Sequence, residues 1–272
     1  MMTDTLTPAE VKHTEYAIEQ LSDVFWAEPL LNKIRDAGGV QAKNKPLLFE
    51  VRFAFELHRR GIVADYEYAT GVGNSSVDFR IPGDVEWLIE IVSIQKSDAI
   101  KRATFDNGFF FGASLSSTAL DPAQSEEAEM ITVEQKICEK VYKGGVVTKF
   151  PPPSGAIHVI VTDIRGYLNV AIGLAGGDKD DWRQMASGTA RVPEPLVQYW
   201  DGKPIKGLFE KSNPLKGARF VRERIHFLGF VRESDYREGE IPNASLYFGN
   251  PQLFSNEEEG RQRFASYPLR PQ

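Results

Sequence analysis

Cysteine is almost absent from this sequence: Cys138 stands alone among 272 residues. An internal disulfide is therefore excluded, and nothing in cysteine usage argues for an oxidising compartment, so a cytoplasmic location is the expectation. Histidine is scarce too. His13, His58, His158 and His226 form no HxxxH or Cys/His spacing, which removes the usual zinc sites. No apolar run approaches the ~18 residues of a membrane span, and the start MMTDTLTPAEVK lacks a basic region leading into an apolar stretch, so neither secretion nor a membrane partner is expected. Positive charge is not in excess either. With 32 basic residues against 38 acidic ones and a net charge of −6, coating nucleic acid by overall charge is excluded, and only a local basic groove is left. Gly71-Val72-Gly73 lacks the third glycine and following helix of a dinucleotide loop, and Gly112-Ala113-Ser114 does not complete a nucleophile elbow.

What is present is the composition of an ordinary globular chain, 42% hydrophobic and 26% charged. Thr7-Pro8-Ala9-Glu10 reads as a helix start with a capping box, leading to a helix through about Trp26 and a shorter one near Leu30 to Arg35. From Pro46 the pattern predicts a helix over 47–60, strands over 62–69, 76–81 and 86–95, a helix over 127–142 and a buried strand over 156–164. Residues 97–126 are too long for an ordinary connection and suggest a lid or an added hairpin around Phe109-Phe110-Phe111-Gly112. Beyond 165 the pattern offers a short helix over 193–200, a strand or two within 220–232, a strand over 245–248 and a terminal helix capped by Ser255.

Three acidic residues stand out against these elements. On a helical wheel Glu50 shares its face with Leu47, Val51, Phe53, Ala54 and Leu57, with Arg52, Glu56, Arg59 and Arg60 opposite, so it points inward and needs a cation or hydrogen-bond donors. The plainer alternative is a helix-start glutamate capping a neighbour. Asp78 in Ser-Val-Asp-Phe-Arg-Ile and Glu90 in Ile89-Glu90-Ile91 lie twelve positions apart on strands joined by a short turn, which brings their carboxylates together. Two carboxylates, a backbone carbonyl such as that of Ile91, and waters would suffice for Mg²⁺ or Mn²⁺. The alternative for Asp78 is a surface strand residue; for Glu90, between isoleucines, that alternative is weak.

A helix with inward Glu50, strands with Asp78 and Glu90, a helix with Lys136 and Lys140, and the apolar strand His158-Val159-Ile160-Val161 together resemble the core of the PD-(D/E)XK, or restriction-endonuclease-like, nuclease superfamily over residues 46–165. The resemblance implies an α/β fold with a central mixed sheet flanked by helices. A helical segment (1–45) precedes that core, and a strand-and-loop extension (166–272) packs on it. It implies a metal-dependent nuclease, DNA favoured over RNA, with Asp78 and Glu90 as metal ligands and Glu50 as a further ligand or ligand-orienting base. The chain departs from the pattern where a lysine should stand two positions after the glutamate, since that position is Val92. Lys96 has the right parity but sits ~20 Å along the strand, whereas the superfamily's lysine is known to migrate to the following helix, which implies Lys140 first and Lys136 second. Ser93 and Gln95 face away from Glu90 by the period of two, and Lys143 lies farther along the flank of the lysine helix.

A later basic stretch sets Lys203, Lys206, Lys211, Lys216, Arg219, Arg222 and Arg224 against only Glu210 and Glu223, and is the candidate nucleic-acid-binding surface. Trp200, Phe209 and Phe220 beside it offer stacking, or simply core. The rival reading is a degenerate nuclease fold that binds nucleic acid or a protein partner without cleavage, for which Val92 speaks. A third is an unrelated α/β interaction protein whose glutamates are held apart by arginines. Many of these nucleases cut two strands as dimers, so the resemblance raises a homodimer without locating its surface.

Overall fold

Six strands form one mixed sheet in the computed structural model, which describes residues 6–95, 104–106, 111–113, 126–165, 177–188 and 206–271. Before the sheet come three helices. Thr7 caps α1 (Pro8–Leu21) by accepting from the Glu10 N–H, a 3₁₀ turn spans Phe25–Ala27, and α2 (Glu28–Asp36) and α3 (Lys45–Arg59) follow. The expected capping box is only half made, because the Glu10 carboxylate turns inward to Arg165 at 2.6 Å and Arg52 at 3.6 Å. The first helix also stops earlier than its apolar spacing suggests, at Leu21 rather than near Trp26.

β1 (Asp65–Ala69), β2 (Ser76–Ile81) and β3 (Glu86–Ser93) make an antiparallel meander. The chain then crosses over through α4 (Glu126–Val141) to β8 (Ala156–Asp163), parallel to β3. On the way, β4 (Thr104–Asp106) pairs with β5 (Phe111–Ala113), the added hairpin suggested by the insertion, whose other residues lie outside the described set. β6 (Tyr142–Lys143) and β7 (Val146–Val147) make a second small hairpin around Gly144 and Gly145 (φ 62° and 88°). After α5 (Gly177–Ser187) and α6 (Lys216–Arg224), β9 (Phe227–Val231) adds parallel to β8. α7 (Glu240–Asn243) leads to β10 (Ser245–Gly249), which closes the sheet antiparallel, and α8 (Glu257–Ala265) follows.

The sheet order is β1-β2-β3-β8-β9-β10. Central strands β3 and β8 are buried on both faces, as their apolar runs require. Trp87, Ile89, Ile91, Val159 and Val161 face a layer containing Leu21, Leu30, Leu48 and Phe53 of α1 to α3. Leu88, Val92, Ile160 and Leu228 face Val133, Ile137, Met185 and Val221 of α4 to α6.

Several expectations change. The 166–272 region does not sit on a finished core, since β9 and β10 are strands of the same sheet. Residues 216–224, half assigned to a strand, are helical, and α5 had no expectation at all. Asn256, not Ser255, caps α8. The face of α3 opposite Glu50 is not solvated, because Arg52 and Glu56 are buried beneath α1 and α7. The helix expected over 193–200 lies outside the described residues.

Candidate active site

The site begins as a fault in the sheet. Glu67 adopts φ 52°, and the β1–β2 register passes from Tyr66↔Phe79 to Tyr68↔Val77 with Glu67 and Asp78 between. Phe79 packs in the α3 layer with Tyr66, whereas Val77 packs in the α4 layer with Tyr68. Both strands therefore change faces across one residue, which a regular period of two forbids. Pairing of β2 with β3 ends at Phe79↔Ile89, just where Asp78 would meet Glu90. Asp78 instead spends its side chain on the ladder, Oδ2 accepting from the Ile91 N–H at 2.6 Å.

Glu90 lies on the α4 face of β3 and is fully buried. Its Oε1 accepts from Lys140 Nζ of α4 and from Lys149 Nζ, each at 2.6 Å, while Oε2 is buried without a hydrogen-bond partner. Burial, then repulsion by Asp78, push the Glu90 carboxyl up to about 7 despite both ammonium groups. Burial works against the Lys140 ammonium, but Glu90, Asp78 and Glu50 together outweigh it and raise its pKa.

Glu50 comes from the other layer. Glu50 lies one turn past Pro46 in α3, its Oε2 accepts from the Tyr66 hydroxyl at 2.7 Å, and Lys33 Nζ reaches that hydroxyl at 3.1 Å. Burial and then Asp78 raise the Glu50 carboxyl to about 7. Asp78 is thus the charge that both glutamates feel. The partners of the three carboxylates are a phenol, a backbone N–H and two ammonium groups rather than separate arginines.

Glu50, Lys140 and Lys149 open onto a cleft of about 410 Å³ that is also lined by Ser75, Ile91 to Ser93, Lys136, Glu139 and Lys143, among others. Lys140 lines it from α4 and bonds Glu90. Lys136 is exposed at the rim, 3.7 Å from Glu139. Val92 is buried in the α4 layer, and Ser93 turns to Asp163, its hydroxyl 3.0 Å from Oδ2.

Lys149 was missed. It sits two residues past β7 at φ 62°, with its N–H donating to Ser75 Oγ at 3.3 Å and its carbonyl accepting from Thr70 Oγ1. The connection between the two hairpins therefore fixes its backbone in a conformation rare for a side-chain-bearing residue. Only the Gly144-Gly145 turn, which folds the chain back toward the sheet, hinted at it in the sequence.

The basic stretch is partly consumed by the fold. Arg222 Nη1 donates to the Glu210 carbonyl at 2.7 Å and Arg224 Nη1 to the Phe150 carbonyl at 2.9 Å, while Arg219 pairs with Glu223 at 2.7 Å. Lys206, Lys211 and Lys216 are exposed, and Lys203 lies outside the described residues.

Among the described residues no three His, Cys, Asp or Glu side chains are gathered closely enough to hold one metal ion. The donors nonetheless suit a hard divalent cation at a two-carboxylate site: Asp78 and Glu90 repel one another, and Glu90 Oε2 has no hydrogen-bond partner. Comparison of the chain with protein-family models, curated proteins and solved structures finds no match in any of the three.

Proposed function

We propose that the chain is a Mg²⁺- or Mn²⁺-dependent phosphodiesterase acting on nucleic acid, DNA before RNA, of the restriction-endonuclease-like kind its sequence resembles. The observation that carries this reading is Glu90, buried on the central strand between Lys140 and Lys149 with Asp78 acting on its charge, the two lysines themselves lining an open cleft. Asp78 and Glu90 would hold the ion, with Glu50 as a further ligand or as the base that orients one. Such an ion would supply a water of lowered pKa and positive charge to offset that developing on the phosphoryl oxygen. The side chains divide the remaining work. Lys140 and Lys149 lock the Glu90 carboxylate in one orientation and present positive charge to an incoming phosphate. Tyr66 donates to Glu50 Oε2, which leaves Oε1 as the oxygen positioned to take a proton.

Nicking of supercoiled plasmid tests this. Cleavage is expected in Mg²⁺, none in EDTA, and a loss of at least ~100-fold in Glu90→Gln, within the range for removing a charged catalytic group; undiminished cleavage by that variant sinks the assignment. One observation favours a second reading, a binder that does not cut: Val92 is buried among apolar side chains and supplies no cation where the pattern has lysine. That protein leaves the plasmid intact under every condition.

A further inference from the structure

The cleft is more basic than the site chemistry needs. Lys136, Lys140, Lys143 and Lys149 line it with Glu50 and Glu139, and of the four only Lys140 and Lys149 reach the buried Glu90. Lys136 and Lys143 are not needed there: both are exposed, the Lys136 ammonium has only the loose 3.7 Å pair with Glu139, and the Lys143 ammonium makes no hydrogen bond or ion pair among the described residues. An exposed pair of that kind contributes little and leaves the ammonium available.

The backbone accounts for the gathering. α4 presents Lys136 and Lys140 one turn apart on the same flank. The β6–β7 hairpin reverses the chain at Gly144-Gly145, carrying Lys143 on its first strand and returning Lys149 to the same cleft. Thr148 Oγ1 fastens the returning strand to the Lys140 carbonyl at 3.1 Å. Two lysines thus lie deep beside the carboxylates and two lie at the rim.

We propose that this cleft, rather than the basic stretch at 203–224, seats the phosphodiester backbone, with Lys136 and Lys143 binding phosphates that flank the one facing Lys140 and Lys149. The proposal deepens the nucleic-acid reading above and rests on it, but not on cleavage. The rim lysines bind charge without reading bases, so affinity is independent of sequence and falls with salt. The later stretch is the weaker candidate because Arg222 and Arg224 are committed to carbonyls and Arg219 to Glu223.

The test is fluorescence anisotropy of short fluorescein-labelled DNA, single-stranded and duplex, in EDTA between about 50 and 200 mM salt. Lys136→Ala/Lys143→Ala is expected to bind about tenfold more weakly. Its plot of log affinity against log salt should be shallower by ~1.4 to 1.8, the yield of two phosphate contacts. Both positions are exposed, and an unchanged circular dichroism spectrum confirms the fold. Unchanged affinity and slope in that variant overturns the proposal. So does absence of binding by the parent chain, or a loss confined to Lys211→Ala/Lys216→Ala. Binding that depends on the rim lysines without plasmid cleavage defeats only the hydrolase reading, whereas cleavage with rim-independent binding defeats only this one.

Discussion

Glu134 shows how far a single carboxyl departs from its ordinary behaviour in this fold. One oxygen accepts from Asn213 Nδ2 at 3.2 Å, the other is buried with no hydrogen-bond partner, and burial pushes its pKa from 4.5 up to about 8. The folded state therefore holds this proton more tightly than the unfolded chain does. The stability it contributes is full below about 4.5 and is lost as pH rises through about 8. Glu134→Gln keeps an acceptor for Asn213 and removes the titration, so urea unfolding at pH above 8 should find the variant more stable than the parent by roughly 2–4 kcal/mol. Equal stability at high pH would show Glu134 to be ionised without penalty. Glu90, raised to about 7, differs because two ammonium groups compensate its charge. The sequence marked Glu90 through its isoleucine neighbours but not Glu134, whose burial depends on α6 and the Asn213 turn arriving from another part of the chain.

Between elements, α4 and α6 approach each other closely. A Cβ on Gly217 would lie 2.5 Å from Cys138 Cβ, so α6 has no room for a methyl group where it meets the Cys138 side chain of α4. This contact holds the outer side of the helix that carries Lys140. Gly217→Ala is expected to cost about 1–3 kcal/mol by overpacking. Cys138→Ala does not remove the Cβ contact and should restore little; full recovery in a double-mutant cycle would place the clash elsewhere. The α3 helix teaches a related lesson. Its wheel put Glu50 inward and Arg52 outward, yet Arg52 is fully buried and clasps Glu233 at 2.9 Å, because α1 and the 233–240 segment cover the face that a lone helix would show to water. Amphipathic spacing identifies the more apolar side of a helix; how many of its sides are covered is set by its neighbours.

For the whole molecule, the charges of Glu10, Arg52, Asp163, Arg165 and Glu233 join the N-terminal helix, α3, the end of β8 and the segment after β9 in one buried network. Asp163 and Arg165 pair locally, but Glu10, Arg52 and Glu233 are compensated only by groups from other segments, and stripping a partner from a buried pair costs about 3–5 kcal/mol. A fragment of residues 46–165 loses Glu10, Glu233 and two of six strands. It is expected to show no cooperative thermal transition by circular dichroism, against a single one for the full chain. A cooperatively melting fragment would restore the notion of a self-sufficient core.

The sequence by itself determined the α/β class and the four strands of the main sheet up to 163, and it singled out three acidic candidates, because apolar periodicity and the cost of an inward carboxylate are local properties. It also directed attention to Lys140 through the resemblance. Only the tertiary structure decided that β2 and β3 part at Asp78, that Lys149 joins Lys140 on Glu90, and that the C-terminal region completes the sheet. Those outcomes depend on a left-handed residue at Glu67, a hairpin returning across the site and strand pairing between distant segments, and free energies of that kind reside in contacts rather than in any one stretch of chain.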